Sequence, residues 1–202
     1  FPFKCNNWCN MGPLNPSTSL AYLILAGTSG WALRHCSVSD TPWAFSTFSF
    51  LLGHSIVSFI NFSSPNEIPY VKEMFEQCSL IAEVLPLPVI NMELYMMHGF
   101  ELKFACLHVV PAVLPVGTQF LIEEHNDKVI DIVLLGNIIS LVYLTVTHDC
   151  PWAGGLAALS CINHYVFRRI AERLEVPKMD IAAIGMSFFN IFAVNCLCES
   201  SP

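Results

Sequence analysis

Long apolar runs separated by short polar joints make up most of this chain. A helix needs roughly 17 to 25 apolar residues to cross ~30 Å of hydrocarbon while its backbone hydrogen bonds stay internal. The runs that approach this are Ser17 to Leu33, Trp43 to Phe62, Cys78 to Met97, Phe104 to Ile122, Val129 to Thr147, Trp152 to Phe167 and Ile181 to Leu197. They predict an all-α polytopic membrane bundle of about seven transmembrane helices. The bundle occupies residues 17–198, between a short N-terminal tail, 1–16, and a C-terminal tail, 199–202. The joints carry turn chemistry, as in Asp40-Thr41-Pro42, Ser63-Ser64-Pro65-Asn66-Glu67 and His148-Asp149-Cys150-Pro151. The third run is interrupted by Glu83, Pro86, Pro88 and Glu93, and the sixth is short; if either fails, six spans remain. Several runs lack the polar face that a helix of a water-soluble bundle requires.

Composition points the same way. Hydrophobic residues make up 54% of the chain and charged ones 12%, where a soluble domain has roughly a quarter charged. The mean hydropathy is +0.55. A net charge of -7 excludes nucleic acid as a partner and leaves the lipid bilayer. Cytoplasmic loops are enriched in Lys and Arg. With seven spans, Lys4, Lys72, Lys128, Arg168, Arg169, Arg173 and Lys178 fall on one side, against Arg34 and Lys103 on the other. The N-terminus and the loop 168–178 are therefore expected in the cytoplasm. That loop alternates its charges, as a solvated helical extension does. Residues 1–16 lack the apolar core of a cleavable signal, so the first run is expected to act as an uncleaved anchor. Asn61-Phe62-Ser63 matches a glycosylation acceptor but falls on the cytoplasmic side, where it would go unused.

Polar side chains inside apolar runs need a reason to be there, because a charge near mid-bilayer costs on the order of 3 kcal/mol. Glu83, Glu93, His54, His108, Asn137 and Asn190 form the candidate intramembrane polar set; Asp131 and His164 lie nearer the ends of their runs. Pro86 and Pro88 should break the third span beside Glu83, and Pro111 and Pro115 bend the fourth. A broken helix with acidic groups suits a small transporter or channel using Glu83 and Glu93. The alternative role for such groups is hydrogen bonding between helices, worth about 0.6 kcal/mol each. Ala153, Gly154, Ala157, Ala158 and Cys161 recur at helical spacing and predict a helix-packing seam, within the chain or between subunits.

Cys5 with Cys9 and Cys196 with Cys198 fall on opposite faces of the predicted membrane, which rules out one zinc site shared between them. Cys106 and Cys161 are expected to be small packing residues; Cys196 and Cys198 lie near a membrane boundary, where palmitoylation is the minority reading beside ordinary packing. No cofactor or metal is called for. An intramembrane lipid hydrolase would combine Ser, Asp and three His. Ser49 with His54 and His148-Asp149 offer pieces of that set, but the last run holds no His.

The stretch Trp152-Ala153-Gly154-Gly155-Leu156-Ala157-Ala158-Leu159, then Glu172-Arg173-Leu174 and Pro177-Lys178 with Asp180, resembles the end of the transmembrane protein two hundred and seventy-six family. Leu85-Pro86-Leu87 leading into His98-Gly99 resembles that family's third span. The resemblance implies a multi-pass membrane protein and supplies no catalytic or binding residues. The sequence thus predicts a non-enzymatic structural or partner-binding membrane component, with a membrane-protein partner or a second copy as its contact.

Overall fold

The computed structural model describes residues 15–66, 68–122, 127–167, 169–170, 173 and 177–200, and among these it contains no strand. The helices are α1 (Pro16–Leu33), α2 (Pro42–Ser63), α3 (Pro69–Val84), α4 (Pro86–Met97), α5 (Leu102–Ile122), α6 (Asp127–Thr147), α7 (Pro151–Cys161) and α8 (Lys178–Ser200). A π-helical turn, Ile162–Phe167, continues α7. The all-α expectation holds. Cys5, Cys9, Arg168 and much of the 168–178 loop lie outside the described residues.

Proline sets many of the helix starts. Pro16, Pro42, Pro69, Pro86 and Pro151 each sit in a first turn, where the missing N–H has no intrahelical partner to lose and φ is already helical. Pro86 also breaks the third apolar run: α3 and α4 meet at Leu85 with a 42° bend. The ladder bridges the joint, with Leu85 N–H donating to the Ile81 carbonyl at 3.0 Å and Val89 N–H to the Leu85 carbonyl at 3.1 Å. Pro111 and Pro115 lie inside α5, which runs through both as one helix. Among the boundaries that move from expectation, two change which polar residues are helical. α3 starts at Pro69, taking in Lys72, Glu73 and Glu76, and α8 continues to Ser200, so Glu199 belongs to a helix and not to a tail.

Helices α2, α6 and α8 are long and apolar enough to cross a membrane, and the bent pair α3 and α4 makes a fourth. The outward faces are greasy. On α6, Ile132, Leu135, Ile139, Val142 and Val146 are exposed while Asn137 is buried, which reverses the arrangement of a helix on a soluble protein. Phe104, Leu107, Val110 and Leu114 of α5 face outward in the same way.

The packing follows one plan twice. α1 packs on α2, and α2 on the α3 and α4 pair; α6 packs on α7, and α7 on α8. Across the halves, α1 lies against α8 as α6 lies against α4, and α4 touches α8. The helix between the two sets is α5. The predicted seam on α7 is narrower than expected. Ala153 and Ala157 are buried and Gly154 abuts Thr145 of α6, but Ala158 and Cys161 are exposed. The reason is that α7 is held between two neighbours, so Gly154 faces α6 while Gly155 faces α8. A Cβ on Gly155 would stand 2.7 Å from the Phe192 ring.

Candidate functional site: polar bridges between helices

Glu93 is the most informative of the polar residues. It sits on α4 with 2% of its surface exposed, and its Oε2 accepts hydrogen bonds from Trp43 N–H at 2.7 Å and Ala44 N–H at 2.9 Å. These amides open α2, whose own cap position, Thr41, supplies no side-chain bond. A carboxylate there satisfies orphan donors and meets the positive end of the helix dipole. Glu83 behaves differently. It is exposed on α3, turned away from the protein interior, so the expected Glu83 and Glu93 pair does not form. One residue precedes a break and faces out; the other, two turns beyond it, faces in.

A second bridge joins α4, α5 and α6. The Asn91 amide donates to the backbone and side-chain oxygens of Asn137, each at 2.9 Å. The Asn137 amide donates to the Val133 carbonyl at 2.9 Å and reaches the His108 carbonyl at 3.5 Å. His108 Nε2 lies 2.7 Å from Ser140 Oγ, which donates to the Tyr95 hydroxyl at 2.6 Å. The Tyr95 and His108 rings are 4.4 Å apart. A third bridge joins α8 to α1, the Asn190 amide donating to Ser29 Oγ at 2.9 Å and Thr28 Oγ1 at 3.4 Å. At the other end of α1, Thr18 Oγ1 donates to Asp180 Oδ1 at 2.5 Å.

His54 takes part in none of these. It is buried in an aromatic nest, stacked on Phe50 and Phe75 with Tyr22 edge-on at 5.7 Å, and its Nδ1 has no hydrogen-bond partner among the described residues. Ser49 is exposed on the same helix, so the two do not make a nucleophile and base. Asp131 and His164 do meet: His164 Nε2 is 2.7 Å from Asp131 Oδ1, and the Tyr165 hydroxyl donates to the Asp131 carbonyl at 3.0 Å. The π turn at 162–167 brings both rings onto α6. Gly185 lets α8 lie close to Asn163 of that turn. Among the described residues, no group of three or more His, Cys, Asp and Glu is placed to hold a metal. Cys196 is buried, which removes it as an acylation site, while Cys198 is exposed.

One signal was passed over in the sequence. Asp40-Thr41-Pro42-Trp43-Ala44 recurs as Asp149-Cys150-Pro151-Trp152-Ala153, and each copy opens the middle helix of a half. The second copy has its own carboxylate: Trp152 N–H donates to Glu199 Oε2 at 3.4 Å, from the end of α8. Glu199 thus takes the position in the second half that Glu93 holds in the first, but it is exposed and accepts one backbone amide where Glu93 accepts two.

A family model described as a domain of unknown function, DUF4791, matches residues 39–197. The chain belongs to the DUF4791 family. The DUF4791 match takes in both copies of the motif, Glu93 and the Asn91 bridge, and stops short of Glu199. No curated protein and no solved structure matches the chain.

Proposed function

We propose that this chain is a multi-pass integral membrane protein of seven crossings, with α3 and α4 together forming one. In this reading it serves as a structural or partner-binding component, without enzymatic activity. The observation that carries it is the use made of the buried polar groups. Glu93, Asn91, His108 and Asn190 each make a hydrogen bond to a neighbouring helix, Asn137 accepts the bond from Asn91, and the outward faces are apolar. Such bridges fix helix order in lipid, where apolar packing alone gives little preference. The Lys and Arg distribution orients the bundle with its N-terminus and the 168–178 loop in the cytoplasm. The likeness to the transmembrane protein two hundred and seventy-six family agrees with a multi-pass protein. Bilayer lipid and a membrane-protein partner or second copy are its contacts.

A small transporter is the second reading, favoured by the broken third span and by the two similarly packed halves, a plan that many transporters share. Glu93 alone would carry it, since Glu83 faces out. Single-cysteine accessibility labelling of each connection, with flux measurements in proteoliposomes, tests both. The structural reading expects alternating labelling and no ion-dependent flux. Flux by the wild type that Glu93→Gln abolishes while the protein stays folded would replace it with the transporter.

A further inference from the structure

Cys150 and Cys196 lie at one end of the bundle with their Sγ atoms 3.5 Å apart, and both are buried. Cys150 occupies the cap position of α7, and Cys196 lies near the end of α8. Cys150 Sγ also donates to Glu199 Oε2 at 3.2 Å, the carboxylate that receives Trp152 N–H. We propose that Cys150 and Cys196 are a disulfide-forming pair that locks the start of α7 to the end of α8. Bonded sulfurs stand ~2.05 Å apart, so the two side chains have only a short distance left to close.

The inference rests on the topology proposed above, which puts the connection between α6 and α7 and the end of α8 on the exoplasmic side. Disulfides form and persist there. The oxidant is a protein or small-molecule disulfide of that compartment. Cys150 gives its proton to Glu199 and attacks the oxidant's S–S bond, expelling one thiolate; Cys196 then attacks the mixed disulfide and expels the second. The two thiols lose two electrons and two protons, and the oxidant leaves as two thiols. This exchange takes place as α8 docks, before Cys196 is covered.

Non-reducing peptide mapping of the full chain, isolated from membranes after free thiols are blocked with N-ethylmaleimide, reads the bond directly. A cross-linked peptide pair containing Cys150 and Cys196, lost on reduction and absent from Cys196→Ser, is the expected result. Maleimide adducts on both cysteines in the unreduced protein would overturn it. Ser39→Cys, probed with a membrane-impermeant maleimide in sealed microsomes, separates the two ways of failing. Labelling of the introduced thiol from the cytosolic face would refute the topology and the disulfide with it. Protection of that thiol, with Cys150 and Cys196 both alkylated, would refute the disulfide alone.

Discussion

Glu93→Ala strips two hydrogen bonds from the N-terminus of α2, the 2.7 Å bond from Trp43 N–H and the 2.9 Å bond from Ala44 N–H. Losing a cap costs typically about 1 kcal/mol and up to about 2. Hydrogen bonds to a charged group contribute about 1.5–3 kcal/mol. These figures describe the same bonds and do not add. Burial selects the upper part of the range, because Glu93 is 2% exposed and Thr41 makes no side-chain cap that could take over. A loss of about 2–3 kcal/mol is expected for Glu93→Ala. Glu93→Gln keeps a carbonyl oxygen at the same place but gives up the charge that favours a helix N-terminus, so about 1 kcal/mol is expected. Equilibrium unfolding in mixed micelles, followed by tryptophan fluorescence, should rank wild type above Gln and Gln above Ala. An alanine variant within about 0.5 kcal/mol of wild type, the scatter of an ordinary surface change, would refute the capping argument. A glutamine variant as damaged as alanine would move the source from the bonds to the charge.

Three further outcomes follow from the same geometry. Asn190→Leu removes the bonds to Ser29 and Thr28 and should cost about 0.6 kcal/mol, at most about 1.7, in the same unfolding assay. Gly155→Ala drives a Cβ to 2.7 Å from the Phe192 ring and should cost about 1–3 kcal/mol; a second change, Phe192→Leu, should restore part of it, and additive losses would show that the two do not meet. Burial pushes the Cys36 thiol up, with the Thr41 hydroxyl opposing. A raised pKa means less thiolate at neutral pH, so maleimide labelling of Cys36 should be slow at pH 7.5 and still accelerate above pH 9, where a free thiol with pKa about 8.5 has begun to level off; a plateau by pH 9 would contradict this.

Helix positions were legible because long apolar runs between polar joints predict helices, and because proline punctuates. Pro42, Pro86 and Pro151 mark starts that the structure places at those residues. What stayed hidden depends on direction around a helix. Glu83 and Glu93 read as one acidic site along the chain, but the break at Leu85 and the turn count between them send one outward and one inward. The seam on α7 is narrower than predicted for a related reason. Periodicity finds one small face, whereas a helix held between two neighbours uses two, and Gly155 serves the second. The partners of Asn91 and Asn190 were out of reach, since the residues they bond lie 46 and 161 positions away.

The two Pro-Trp helix starts explain why distant carboxylates appear at all. In water, an uncapped N-terminus can bond solvent, and Ser, Thr, Asp or Asn at the cap position adds a local acceptor. Thr41 and Cys150 make no such backbone bond, and proline at the next position removes one donor but leaves the amides of Trp43 and Trp152 to satisfy. Within hydrocarbon an unsatisfied amide is costly, so in the membrane reading proposed above an acceptor from another helix takes the place of solvent. Glu93 lies 50 residues from Trp43, and Glu199 lies 47 from Trp152. In the first half the carboxylate arrives on α4, the second member of the bent pair that follows α2, and in the second half on α8, which follows α7, so the cap also ties those helices side by side. The order α1, α2, then α3 with α4 is tied at its second joint by Glu93, and the order α6, α7, α8 by Glu199. The buried Glu93 therefore has a structural requirement to meet before any transported ion is invoked, and the motif that creates that requirement recurs with an exposed carboxylate in the second half.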